Sequence, residues 1–167
     1  MTSLTHELRL MQNPALGAVL LLRFAKAYAT AHPEHQAAPL PLLFLVLPAV
    51  WHEPTATQII STQQGSGLRA FAAKFTESRP PQLDVLLDLH ERARRWRPKS
   101  REAMRMAMAV GLLRIGTDGR AIPGSQEWPN VSQPSTAKTM SNAVEKFAGW
   151  CAPLTLHEIS LALHVKF

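Results

Sequence analysis

A chain of 167 residues, 46% hydrophobic and 18% charged, has the size and balance of one globular domain, which excludes a wholly disordered polymer and any need for a metal or disulfide to fold. Its single cysteine, Cys151, excludes an internal disulfide and fits a reducing, cytoplasmic setting. The formal charge of +6 is unevenly placed: Arg92 to Arg120 holds nine of the eighteen Lys and Arg residues against only Glu102 and Asp118, a local +7 that leaves the remainder at −1, so one face is expected to meet a polyanion or an acidic protein surface.

Met1 to Leu10 carries Glu7 and Arg9 and lacks the apolar stretch and small-residue cleavage site of a signal peptide. Asn13-Pro14 predicts a helix start, with Asn as cap and Pro at the first helical position. Leu16, Leu20, Phe24 and Ala27 then share one helical face to about Thr30. Pro33 and Pro39 bracket a polar connection. Leu42 to Trp51 is apolar on nearly every side and reads as the central buried helix, kinked or ended by Pro48. It is too short to span a bilayer, as is the stretch Leu16 to Leu22 before Arg23. Pro54-Thr55 restarts a helix through Ile60. After Gly65-Ser66-Gly67, Ser66 is placed to cap a short helix with Leu68, Phe71, Ala72 and Phe75 inward and Arg69 and Lys74 outward.

Arg79-Pro80-Pro81 reads as a linker into the basic region. From Gln82 to Trp96 the stripe Leu83, Leu86, Leu87, Ala93 and Trp96 is expected inside, with Glu91, Arg92, Arg94 and Arg95 outside, and Pro98 is expected to stop the helix. Ser100 would cap the next one, buried through Ala103, Met104, Ala107, Met108 and Val110, with Arg101 and Arg105 together on its opposite face and Gly111 at its end. Of Met104, Met106 and Met108, one is expected exposed. Leu112 to Ile115 and Arg120 to Pro123 flank Asp118-Gly119 as a β-hairpin. Gly124 to Pro134 is rich in loop formers. Thr136 to Trp150 is helical again, ended by Pro153, and Leu154 to Phe167 is apolar enough to dock.

The expected fold is therefore mainly α: one compact domain with a helical subregion at 1–79, a basic segment at 80–123 in the helix-turn-helix plus hairpin order of a winged helix, and a loop and docking helix at 124–167. In that arrangement Arg101 and Arg105 would face DNA. Arg94, Arg95, Arg97 and Lys99 would neutralise phosphates at the turn, and Arg120 would sit near the wing tip. No Asn or Gln lies between Arg92 and Arg120, so DNA binding there would read little sequence and depend strongly on salt. Winged helices also serve as protein docking modules, and these seven residues are candidates for either partner.

Catalytic chemistry finds little support. His6-Glu7, His52-Glu53, His90-Glu91 and His157-Glu158 lack the second His four positions on that a zinc-binding helix needs, and no Walker loop, cysteine pair or carboxylate cluster occurs. No catalytic residue, metal site, cofactor or small-molecule substrate is expected, nor a membrane partner.

Several segments together resemble the middle components of bacterial three-component ABC ATPase (ABC-3C) systems, the group that includes the Lamassu anti-phage and anti-plasmid defence systems. The resemblance rests on Asn13-Pro14-Ala15-Leu16 with Leu22-Arg23-Phe24, on Leu40 to Pro48, on Ser66 to Ala72, on Gly111-Leu112-Leu113 and on Leu161 to Phe167. It covers nearly the whole chain. It implies a non-enzymatic adaptor between an ATPase similar to structural-maintenance-of-chromosomes (SMC) proteins and an effector, often a nuclease, held inactive until invading DNA is sensed. The alternative from the residues alone is a free-standing winged-helix DNA-binding regulator.

Overall fold

The computed structural model describes residues 13–76, 80–126 and 135–167. The leader reading at Met1 to Leu10, Arg79, the side chain of Leu83 and positions 127–134 of the expected loop lie outside the described residues.

Helix α1 (Pro14–Ala31) begins where Asn13 Oδ1 accepts the Ala15 N–H at 2.8 Å, one of the donors a helix start leaves without a partner. Its residues Leu20, Leu21, Phe24 and Ala25 are buried, and it packs chiefly against two later helices, α5 (Pro80–Ala109) and α6 (Ser135–Cys151). Between them lie β1 (Ala38–Pro39), α2 (Leu40–Val50), α3 (Glu53–Ser61), a 3-10 turn (Gln64–Ser66) and α4 (Gly67–Thr76). Pro48 does not end α2, which runs on to Val50 with Pro48 itself buried. Ser66 closes the 3-10 turn, and α4 begins after it at Gly67.

The buried side chains form one cluster drawn from both halves of the chain. Phe24 lies 6.0 Å from Phe147, and Phe71 lies 5.4 Å from Trp150, ring to ring. At the close approach of α1 and α5, a Cβ added to Gly17 would come within 2.8 Å of the Ala103 Cβ, so small residues set the interhelical distance there.

The hairpin forms as expected, with β2 (Leu113–Ile115) antiparallel to β3 (Arg120–Pro123) and Gly119 at φ +73° in the connection. The Asp118 carboxylate caps it by accepting the Arg120 N–H at 3.1 Å. A strand not foreseen from the sequence, β1, adds to the far side of β3 through Ala38 opposite Ala121, giving the order β1-β3-β2. Two residues, one of them Pro, carry no strand signal of their own. The tail folds as α7 (Leu156–Leu163) behind a capping box in which Thr155 Oγ1 accepts the Glu158 N–H and Glu158 reaches back to the Thr155 N–H. Ile159, Leu163 and Val165 dock it on the core.

The mainly helical fold with a small antiparallel sheet is what the sequence led one to expect, and it is compatible with a winged helix. The helix boundary at Pro98 is not. Helix α5 runs unbroken for 30 residues with Pro98 inside it, so no turn separates two helices, Ser100 caps nothing, and Pro80 and Pro81 open the helix instead of forming a linker. The N-terminal position suits proline, which has no N–H to leave unsatisfied.

Candidate interface on the basic helix

A proline inside a helix removes the bond to the carbonyl four residues back and crowds it, a cost of about 3 kcal/mol. Pro98 is exposed, so that lost bond falls on the watered side of α5. Continuity is held by the other side, where Leu86, Leu89, Ala103 and Ala107 are no more than 2% exposed and Trp96 packs on Trp51 with centroids 6.0 Å apart. Burying an aliphatic side chain contributes about 1.5–3 kcal/mol, so a few of these offset the proline.

The inner face also holds a charge. Arg92, expected in solvent, is 7% exposed. Its Nη2 donates to Thr55 Oγ1 at 3.1 Å and to the Val85 carbonyl at 3.3 Å, while its Nε is buried without a partner among the described residues. Burial lowers its pKa, and the Asp88 carboxylate opposes the shift. Thr55 in turn lies 2.8 Å from His52 Nδ1. Burial, and then the Arg92 guanidinium, hold the His52 imidazole below its ordinary 6.5. Arg92 is thus a part of the interior, and the count of basic residues available to a partner falls accordingly. Ser100, buried in the same helix, has no partner for its hydroxyl among the described residues.

At 100° per residue, Arg94, Arg101 and Arg105 fall within a narrow arc of the opposite face, and all three are exposed. Arg94 meets Glu91 at 3.3 Å, with both side chains more than half exposed, a pairing worth a fraction of a kcal/mol. Arg95, Arg101 and Arg105 make no hydrogen bond or ion pair among the described residues. Arg97 flanks the arc and lies over the Phe44 ring at 5.6 Å, and Lys99 lies over Trp96 at 5.6 Å on the other flank, contacts of about 0.5–1 kcal/mol where water reaches them. Arg120 is not brought to this surface: its Nη1 donates to the Ala37 carbonyl at 2.7 Å and fastens β3 to the segment before β1. It also sits beside Tyr28, whose phenol burial pushes up and the guanidinium pulls back.

Sequence reasoning placed Leu87, Met108 and Val110 in the core. They are 48%, 42% and 51% exposed, and Met106 is exposed as well, leaving Met104 as the one buried methionine of its set. Leu89 occupies the position given to Leu87. The signal that separates them is phase: Leu89, Trp96, Ala103 and Ala107 follow one stripe, whereas Leu87, Arg94, Arg101 and Met108 recur every seven residues on the other side.

Elsewhere, an open depression of about 450 Å³ lies between the 3-10 turn and α7, lined by Gln64, Ser66, Leu68, Trp150, Leu154 and Glu158 among others. Its two charged residues, Arg69 and Glu158, are paired at 3.1 Å. Among the described residues no three His, Cys, Asp or Glu side chains converge as metal ligands, and no helix is long and apolar enough to cross a membrane. Cys151 is fully buried, and burial drives its thiol pKa far up, which suits packing between helices and not nucleophilic chemistry.

Residues 1–167 match the model of one protein family, the ABC-three component (ABC-3C) system Middle Component 3. No curated protein and no solved structure matches the chain.

Proposed function

We propose that this chain, which belongs to the Middle Component 3 family of ABC-three component systems, is a non-enzymatic cytoplasmic adaptor that joins an SMC-like ABC ATPase subunit to an effector subunit. The observation that carries this reading is the family match over the full 167 residues, because membership of a multi-component system supports a role among protein partners. The outer face of α5 supports it: three arginines on one arc of a rigid helix, held by a buried inner face, form a surface with charge to spare. In the finer form of the proposal the effector is a nuclease, the system defends against phage or plasmid DNA in the manner of Lamassu, and the adaptor keeps the effector inactive until DNA engages the ATPase.

Co-expression with the proteins encoded on either side tests it. The expected result is co-elution of the chain with both in a fixed ratio that survives nuclease treatment, with no turnover by the chain alone. A second reading, a winged-helix DNA-binding regulator, is favoured by the β2-β3 hairpin that follows the basic helix. A stable homodimer that shifts one operator fragment and leaves its neighbours unbound would establish that reading and sink the adaptor.

A further inference from the structure

The outer face of α5 has a pattern that a phosphate backbone does not call for. Leu87, Glu91, Arg94, Pro98, Arg101, Arg105 and Met108 follow one another in alternating steps of four and three, and every one of them is exposed. Alternation of three and four keeps residues on a single line of a helix and is the spacing by which one helix seats another. At about 1.5 Å per residue the line is roughly 32 Å long. Its charge is segregated: the arginines occupy the middle and C-terminal half, Leu87 and Met108 close the two ends, and Glu91 is already engaged with Arg94. An apolar side chain at each end would meet water or phosphate if the face lay on a duplex, and the line has no Asn or Gln to read a base edge.

We propose that this line receives an acidic amphipathic helix of another component of the system, with Asp or Glu opposite Arg94, Arg101 and Arg105 and apolar side chains opposite Leu87 and Met108. The inference rests on the adaptor reading and adds the chemistry and the register of its contact. Pro98 fits the same arrangement. Its ring leaves the Arg94 carbonyl without a helical donor on the very face that is to be covered, an acceptor that a polar side chain of the incoming helix can use.

The test uses the full chain co-expressed with its neighbouring components, with a photo-crosslinking residue placed at Met108 in one preparation and the double change Arg101→Glu, Arg105→Glu in another. A crosslink to a helical segment whose Asp and Glu recur in steps of three and four is expected. The double variant is expected to weaken the complex by on the order of tenfold or more, to keep its melting temperature because both side chains are in solvent, and to regain binding when the facing acids are changed to Lys. A complex that forms as in the wild type despite the double change, or a crosslink found only on nucleic acid or on a segment without that acidic spacing, overturns the helix-docking inference and leaves the adaptor standing. If no complex forms with any neighbour, both fall together.

Discussion

The two faces of α5 are built from the same residue types and differ in what those residues are asked to do. Inside, Leu86, Leu89, Ala103 and Ala107 exclude water, and the one arginine among them, Arg92, has its guanidinium taken up by Thr55 and the Val85 carbonyl. Outside, Leu87 and Met108 remain wet, and Arg101 and Arg105 make no hydrogen bond or ion pair among the described residues. Leucine and arginine therefore mean structure on one side and, on the docking proposal, recognition on the other. The residue type does not decide which; the phase of the helix does.

Leu89 and Leu87, two positions apart, give the widest separation. Leu89→Ala is expected to cost about 2–5 kcal/mol, because the core around a side chain 1% exposed can only partly close over the lost volume. Leu87→Ala should change stability by less than about 0.5 kcal/mol while weakening the complex with the acidic helix. Urea denaturation of both variants measures the first difference. Equal losses would mean that the outer face is covered by the chain itself.

Pro98→Ala comes next and probes how the outer face is tied to the inner. Removing proline from a helix interior recovers about 3 kcal/mol of propensity, less about 1 kcal/mol for the looser unfolded chain, so a gain of about 2 kcal/mol is expected in the same denaturation experiment. No gain would show that α5 has adapted its inner packing to the proline. That residue also marks where the sequence stopped being legible. Asn13-Pro14 and the Asp118-Gly119 hairpin are local devices, and each is found where the sequence places it; the Thr155 to Glu158 box is equally local and was not foreseen. Pro98 is a local stop signal that loses to tertiary burial on the opposite side of the helix, and a helix cut in two at that point makes Ser100 read as a cap and Met108 and Val110 as core. Arg92 was illegible for a related reason, since a buried arginine inside Glu91-Arg92-Ala93-Arg94-Arg95 reads as one more solvated charge until Thr55 is known to face it. β1 could not be read at all, because its partner strand lies more than eighty residues away.

The smallest expected effect separates the faces by pH. Arginine as a residue type does not titrate in the range where proteins fold and gives no slope near neutrality. His52, beside Arg92, does. Burial and the guanidinium depress its folded-state pKa below the ordinary 6.5, so as pH falls below 6.5 the unfolded chain takes up the proton first. Stability present above that point is then lost as pH falls through the depressed value. Glu158, whose pKa is lowered chiefly by the Thr155 backbone hydrogen bond, acts in the same direction but below 4.5, which keeps the two windows apart. Thermal melts between pH 7 and 5 are expected to show a shallow fall that His52→Gln flattens, with the Arg101→Glu, Arg105→Glu variant parallel to the wild type. A slope that follows the outer-face variant and ignores His52 would reverse the assignment of the two faces.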